Sequence, residues 1–274
     1  MVSQEQRRRQ LAREKFLRQQ QRRTQARRKA RVRNSVIASV LGVIVIGGVV
    51  LYTTDAFKGT DKKTNTAADV TPSATPTAQD PCAKPAAGSV KKLSWKKEPA
   101  MTIDTSAKYT MKLATTCGDI DIALKTAAAP HTVNSFDFLA GQGFFDHTRC
   151  HRLTTDGIFV LQCGDPQGTG MGGPGYTLPD ENLKDKSLKG NSYPAGTVAM
   201  ANTGQKHTGG SQFFLVYKNS PLPPSYTPFG TVSAAGMKVL QKIAAAGAQP
   251  ADPTSGNTAP NATVVINKAT VTKS

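Results

Sequence analysis

Residues 150–165 read CHRLTTDGIFVLQCGD, two runs rich in apolar residues on either side of Asp156-Gly157. An Asp-Gly pair between such runs signals a β-hairpin, because a two-residue type I′ turn needs positive φ at both central positions. With that loop Thr155 lies opposite Ile158. Counting outward sets Cys150 opposite Cys163 at a non-hydrogen-bonded position, where Cα atoms approach to about 4.5 Å, within reach of a disulfide. The same register turns Arg152 and Gln162 to opposite faces, since side chains alternate along a strand. The chain has four cysteines, so a Cys150–Cys163 bridge leaves Cys82 for Cys117. An even count of this kind points to a bridged framework.

Outward from the hairpin, Tyr109-Thr-Met-Lys-Leu113 and Asp119-Ile-Asp-Ile-Ala-Leu124 alternate apolar and polar residues about a turn, which predicts two strands. Residues 130–141 predict a helix, with Pro130 at its start, Thr132 as cap, Val133, Phe136 and Leu139 at helical spacing, and Gly141 as its end. Further strands are expected at 196–201, 212–217, 229–232 and 263–267. A second helix is expected at about 234–246, with Met237, Leu240, Ile243 and Ala244 on one face and Gly247 as its stop. Many short strands with two short helices predict a mainly β fold, a closed antiparallel barrel.

The N-terminal part has a different composition. Of the formal charge of +17, residues 1–34 carry +11, from thirteen Lys and Arg against Glu5 and Glu14. The basic signal therefore belongs to an arm and not to the folded part, which weakens a nucleic-acid reading of the pI. Residues 35–52, SVIASVLGVIVIGGVVLY, carry no charge. A helix of that length rises roughly 27 Å, about the thickness of a hydrocarbon core. The basic region before it is too long for a secretory signal, and the following TTDAFKG lacks a small-residue cleavage pattern. A single uncleaved anchor is expected, with the arm cytoplasmic and everything after Tyr52 outside, where disulfides persist. The arm, rich in helix formers, is expected to lie against anionic lipid, at about 1 kcal/mol per basic residue. A nucleic acid or another cytoplasmic partner is the competing reading. Residues 53–99, rich in Thr, Ala and Pro, predict a disordered linker. Residues 100–274 are left as the folded domain.

Within that domain, Cys150-His-Arg-Leu, Phe159-Val-Leu-Gln-Cys-Gly-Asp165, Met200-Ala-Asn202, Gly210-Ser-Gln-Phe-Phe214 and Phe229-Gly230 stand in a shared order and spacing. Together they resemble the cyclophilins, and are most similar to membrane-anchored actinobacterial ones, over about residues 107–272. The resemblance implies an eight-stranded barrel capped by two helices and a peptidyl-prolyl cis-trans isomerase that helps unfolded or secreted polypeptides fold. It implies that Arg152 is the catalytic arginine and that Phe159, Val160, Phe214 and Leu222 hold the proline ring. Gln162 and Asn202 supply hydrogen bonds, Gln212 stands close by, Ala201 lines the cleft and Tyr226 faces the pocket. Two residues more than the common spacing separate Arg152 from Phe159. Val160 replaces a frequent Met, Tyr226 a frequent His and Pro221 a frequent Trp, and the missing Trp implies weak cyclosporin binding. The family turns Arg152 and Gln162 toward one substrate, in conflict with the two-residue turn counted above. A monomer is expected. A proline-peptide-binding scaffold with little turnover is the alternative function.

The chemistry suits these residue types. The X–Pro bond rotates over a barrier near 20 kcal/mol because its C–N bond is partly double. No covalent bond need break, so no metal, nucleophile or cofactor is expected. An always-charged arginine can hydrogen-bond the proline nitrogen as conjugation is lost, an interaction stronger in the transition state than in the ground state. Three other patterns are set aside. Gly168-Thr-Gly-Met-Gly-Gly173 precedes Pro174 and no helix, so it is a surface loop and not a dinucleotide site. His147, Cys150 and His151 do not form a metal set, since neighbouring strand residues face opposite ways. Ser211 lies in GGSQF, outside any nucleophile-elbow pattern.

Overall fold

The computed structural model describes residues 80–188, 190–252 and 256–274. The basic arm 1–34, the apolar span 35–52 and the linker up to residue 79 lie outside the described residues. Among the described residues no helix is long and apolar enough to cross a membrane.

The chain runs β1 (Tyr109–Thr115), β2 (Gly118–Leu124), α1 (Pro130–Gly141), β3 (Thr148–Arg149), β4 (Arg152–Leu153), β5 (Val160–Cys163), β6 (Thr197–Met200), β7 (Phe213–Val216), β8 (Pro228–Val232), α2 (Ala234–Ala245) and β9 (Val265–Lys273). The strands make one antiparallel sheet in the order β3-β9-β1-β2-β8-β6-β7-β5-β4. Its two edge strands, β3 and β4, are separated in the chain only by Cys150 and His151, so the sheet curls until its edges meet. There the Cys150 N–H donates to Val264 O on one edge, and the His151 N–H to Gln162 O on the other. This corrects the expected eight-stranded closed ladder. The run read as a strand from Cys150 is strand only at Arg152–Leu153, because Cys150 and His151 carry the chain across from β3, and covalent chain, not a hydrogen-bonded ladder, joins the two edges.

The hairpin register is also corrected. Arg152 pairs with Gln162 and Leu153 with Leu161, one residue away from the counted pairing. Thr154 N–H donates to Val160 O, so the loop spans Thr155 to Phe159, with Gly157 in left-handed backbone at φ 69°. A one-residue change of register exchanges every side chain between faces. Arg152 and Gln162 consequently share a face. The bridges nonetheless form as Cys150–Cys163 and Cys82–Cys117.

Two further differences concern local signals. Thr132 does not cap α1. The Glu181 carboxylate, from a distant loop, accepts from His131 N (3.0 Å), Thr132 N (2.9 Å) and Thr132 Oγ1 (2.7 Å), and so satisfies donors that a helix start leaves open. β9 runs to Lys273, beyond the expected 263–267, because it pairs with β1 along that strand's whole length. α2 follows the sequence signals, with Ser233 accepting from Gly236 N at its start and Gly247 at φ 75° beyond its end.

Two apolar clusters share the strands. On the inner face Leu161, Val198, Met200, Phe213 and Leu215 join the main core. Phe136 of α1 meets Phe229 at 4.5 Å and Phe213 at 5.5 Å between ring centroids. On the outer face Val160, Ala199, Phe214 and Val216 join Tyr193 in a separate cluster. β6 and β7 are buried on both faces, which is why they read as continuous apolar runs.

Residues 80–99, assigned by composition to the linker, have no regular secondary structure but pack on this domain. Trp95, the only tryptophan, sits 5.0 Å from Phe138 and 5.9 Å from Phe144. Its backbone N–H donates to Pro174 O, and Ala86 N–H donates to Asn267 Oδ1. Cys82 is bridged to Cys117 at the β1–β2 turn.

Candidate active site

The outer cluster floors a cleft of about 360 Å³. Strand alternation builds one wall. Ile158, Val160 and Gln162, two residues apart, line it, and Arg152 stands beside Gln162 as its ladder partner. β7 contributes Phe214, and the segment after β6 contributes Ala201 and Asn202. Leu222 and Tyr226 close the far side.

Arg152 Nη1 donates to Gln162 Oε1 at 3.2 Å. Gln162 Nε2 donates to Gln212 Oε1 at 2.9 Å, and Gln212 Nε2 to Gly172 O at 2.8 Å. This chain of amides fixes which end of each glutamine faces the guanidinium. A guanidinium has five N–H donors, and the bond to Gln162 is the one side-chain hydrogen bond of Arg152 among the described residues. Asn202 is held by donating to Ser225 O (2.8 Å) and accepting from Gly204 N (2.9 Å). On the apolar side Phe214 meets Tyr226 edge-on at 5.4 Å. Tyr193 OH donates to Tyr226 O at 2.7 Å. Burial pushes the Tyr193 phenol up to about 12, so it stays a donor and locks the Tyr226 segment to the cleft floor.

The loop 165–173 forms the rim. Asp165 is buried, yet its carboxylate accepts from the N–H groups of Gln167, Thr169 and Gly170. Burial works to raise its pKa, but the N–H groups of Gln167, Gly172 and Gly170, with His151 adding to them, outweigh burial and hold the carboxyl below its usual value. Beside it His151 is buried, and neither of its ring nitrogens has a hydrogen-bond partner among the described residues. Burial, with Arg152 adding to it against an opposing pull from Asp165, lowers the His151 pKa.

Of the residues that the resemblance placed here, Arg152, Val160, Gln162, Ala201, Asn202, Phe214, Leu222 and Tyr226 line the cleft. Gln212 lies in an adjoining groove of about 580 Å³ that shares Gln162, Ala201 and Asn202 with it. Phe159 is not among the lining residues. Being one residue out of step with Val160 and Gln162, it turns the other way, edge-on to Tyr217 at 6.0 Å and beneath Lys218 Nζ at 4.4 Å. Sequence reasoning missed Ile158, Thr169, Gly170, Met171 and Asn257, which also line the cleft. The two-residue spacing to Val160 could have found Ile158. Met171, 90% exposed, stood out only as a lone apolar residue within glycines. Nothing marked Asn257.

Comparison with known proteins gives the family. The cyclophilin type peptidyl-prolyl cis-trans isomerase/CLD family matches over residues 110–271. A probable peptidyl-prolyl cis-trans isomerase B of Mycobacterium leprae is 50% identical over 149 residues, covering 52% of this chain and 50% of that protein. Peptidyl-prolyl cis-trans isomerase B of Bacillus subtilis is 44% identical over 118 residues, covering 42% of this chain and 76% of its own. A crystal structure of a Cryptosporidium parvum cyclophilin type isomerase is 27% identical, with a TM-score of 0.49, over 61% of this chain and 99% of that one. The chain belongs to the cyclophilin-type peptidyl-prolyl cis-trans isomerase family. Its match spans about half the length of the mycobacterial relatives.

Proposed function

We propose that this chain is a peptidyl-prolyl cis-trans isomerase that acts on X–Pro bonds of unfolded or secreted polypeptides, tethered by residues 35–52 with its catalytic domain outside the cytoplasm. The observation that carries the activity is Arg152, held by Gln162 at the edge of an apolar cleft floored by Val160 and Phe214. A proline ring seated on that floor brings its nitrogen toward the guanidinium. As the amide twists, the nitrogen regains its lone pair, and Arg152 donates to it. Because the donor is preorganised, the bond strengthens as the barrier is climbed and costs no reorientation. Asn202 and Gln162 hold backbone groups on either side of the turning bond. No proton is transferred and no covalent bond is made.

The anchor reading rests on the uncharged run 35–52 behind a basic arm. The two disulfides suit an oxidising side of the membrane, and anionic lipid is the partner of the arm.

The test is isomerisation of a proline tetrapeptide by the full chain. Wild type should accelerate exchange, and Arg152→Ala should lower kcat/KM by roughly a hundred- to a thousand-fold, as for loss of one transition-state donor. Equal rates for the two would exclude catalysis through this arginine. Peptide binding without acceleration in wild type would favour the scaffold reading. Membrane fractionation of the full chain and of a chain lacking residues 35–52 tests the anchor, which is wrong if both fractionate alike.

A further inference from the structure

Arg152 sits on a strand with little of its own to hold it. β4 is two residues long and lies at the sheet's edge. Its ladder with β5 consists of Arg152 opposite Gln162 and Leu153 opposite Leu161, flanked by the bonds from His151 to Gln162 and from Thr154 to Val160. On its other side Leu153 N–H donates to Thr258 O, and Thr258 Oγ1 donates back to Leu153 O. The loop beyond, around Asp156, is exposed. β5 itself is held on both faces, Val160 in the outer cluster and Leu161 in the inner core. The Cys150–Cys163 bridge ties the start of β4 covalently to this anchored strand. Cys150 lies two residues before Arg152, and Cys163 directly follows Gln162.

We propose that the Cys150–Cys163 disulfide is a positioning element for the active site, which tethers the short edge strand β4 to β5 and so holds Arg152 beside Gln162 at the cleft. The two cysteines touch no substrate and act through Arg152. Both are buried, Cys150 at 4% and Cys163 at 0% exposure, so the bridge is a permanent crosslink and not a reducible switch. Cys82–Cys117 supplies the internal control. It closes a larger loop, 35 residues apart against 13, and lies at the β1–β2 turn, next to no cleft-lining residue in the chain. A purely stabilising role predicts that this second bridge matters at least as much, since loop-closure entropy grows with loop size.

The inference rests on the isomerase reading, so its test has an arm that needs no turnover. Cys150→Ala/Cys163→Ala and Cys82→Ala/Cys117→Ala are made in the full chain, with circular dichroism and thermal melts to confirm folding. The first pair should lower kcat about tenfold or more with KM within about twofold, whereas the second should keep kcat and lose melting temperature. In parallel, amide hydrogen exchange should show His151 and Thr154 losing protection in the first variant while β1 and β9 amides keep theirs. If the first variant does not fold, Cys150→Val/Cys163→Ala, which fills more of the vacated volume, takes its place in both assays. Unchanged kcat with unchanged exchange at His151 and Thr154 would overturn the proposal, as would an equal loss of kcat in both double variants. If wild type shows no turnover, the isomerase reading fails alone, and exchange at these two amides still decides whether the bridge holds the strand.

Discussion

Phe213 and Phe214 are neighbours on one strand with opposite duties. Phe213 faces inward, fully buried, against Phe136 and Phe145 of a ring-rich core. Phe214 faces outward, 5% exposed, on the floor of a cleft open to solvent. The inner cluster is closed by α1 and the curled sheet, whereas the outer one is closed on one side only. Apolar burial is therefore not one quantity in this molecule. The same residue type contributes to a sealed core on one face and to the floor of an open cleft on the other, where the proposed function seats a proline ring.

That contrast can be broken in graded ways. Phe213→Ala should cost about 3–5 kcal/mol of folding stability, the usual range for truncating a core phenylalanine, measurable by urea unfolding. Phe214→Ala should cost less, about 1–3 kcal/mol, because water enters an open cleft more readily than a sealed core. It should also raise KM for a proline peptide by about tenfold, the worth of roughly 1.4 kcal/mol of lost apolar contact. An equal stability loss in both variants would abolish the distinction.

Gln212→Ala sharpens the polar side. It leaves the Gln162 amide without its acceptor, so Gln162 is less firmly oriented toward Arg152. A five- to tenfold fall in kcat is expected, about one neutral hydrogen bond, with little change in melting temperature. Glu181→Ala is the reverse case, expected to cost about 1 kcal/mol through the start of α1 while kcat stays unchanged.

The smallest effect is a pH slope. His151 has a folded pKa below its unfolded value of 6.5. The unfolded chain therefore binds a proton that the folded chain refuses, and stability falls as pH drops below about 6.5 toward the folded value. Asp165, also lowered from 3.8, adds stability above that pH which is lost on further acidification. His151→Gln should flatten the first part of the melting-temperature profile and leave the second. A profile unchanged by the substitution would mean that His151 carries none of the slope.

Much of this was legible in the chain. Alternation gave β1 and β2, helical spacing gave α2, the joined motifs held six of the cleft's lining residues, and the resemblance they carry added Leu222 and Tyr226. The Asp156-Gly157 signal marks where the chain turns but not how many residues the loop takes up, because Thr155, Ile158 and Phe159 are spent on it as well, and that extra length set the register wrong. Phe159 was placed at the pocket by the resemblance, against the alternation that turns it away from its neighbour Val160. Thr132 failed as a cap because the better acceptor, Glu181, is 49 residues away, beyond any local signal. Residues 80–99 read as linker because their composition is polar, while Trp95 and Cys82 attach them through partners distant in sequence.

The pairing of β9 with both β1 and β3 has a consequence for synthesis. β1 emerges from the ribosome among the first strands and β9 last, so the sheet's edge at Thr148 lacks its partner until residues near 266 have been made. Local hairpins such as β1–β2 can form early, but completion waits for contacts of the greatest sequence separation, which are the slowest to close.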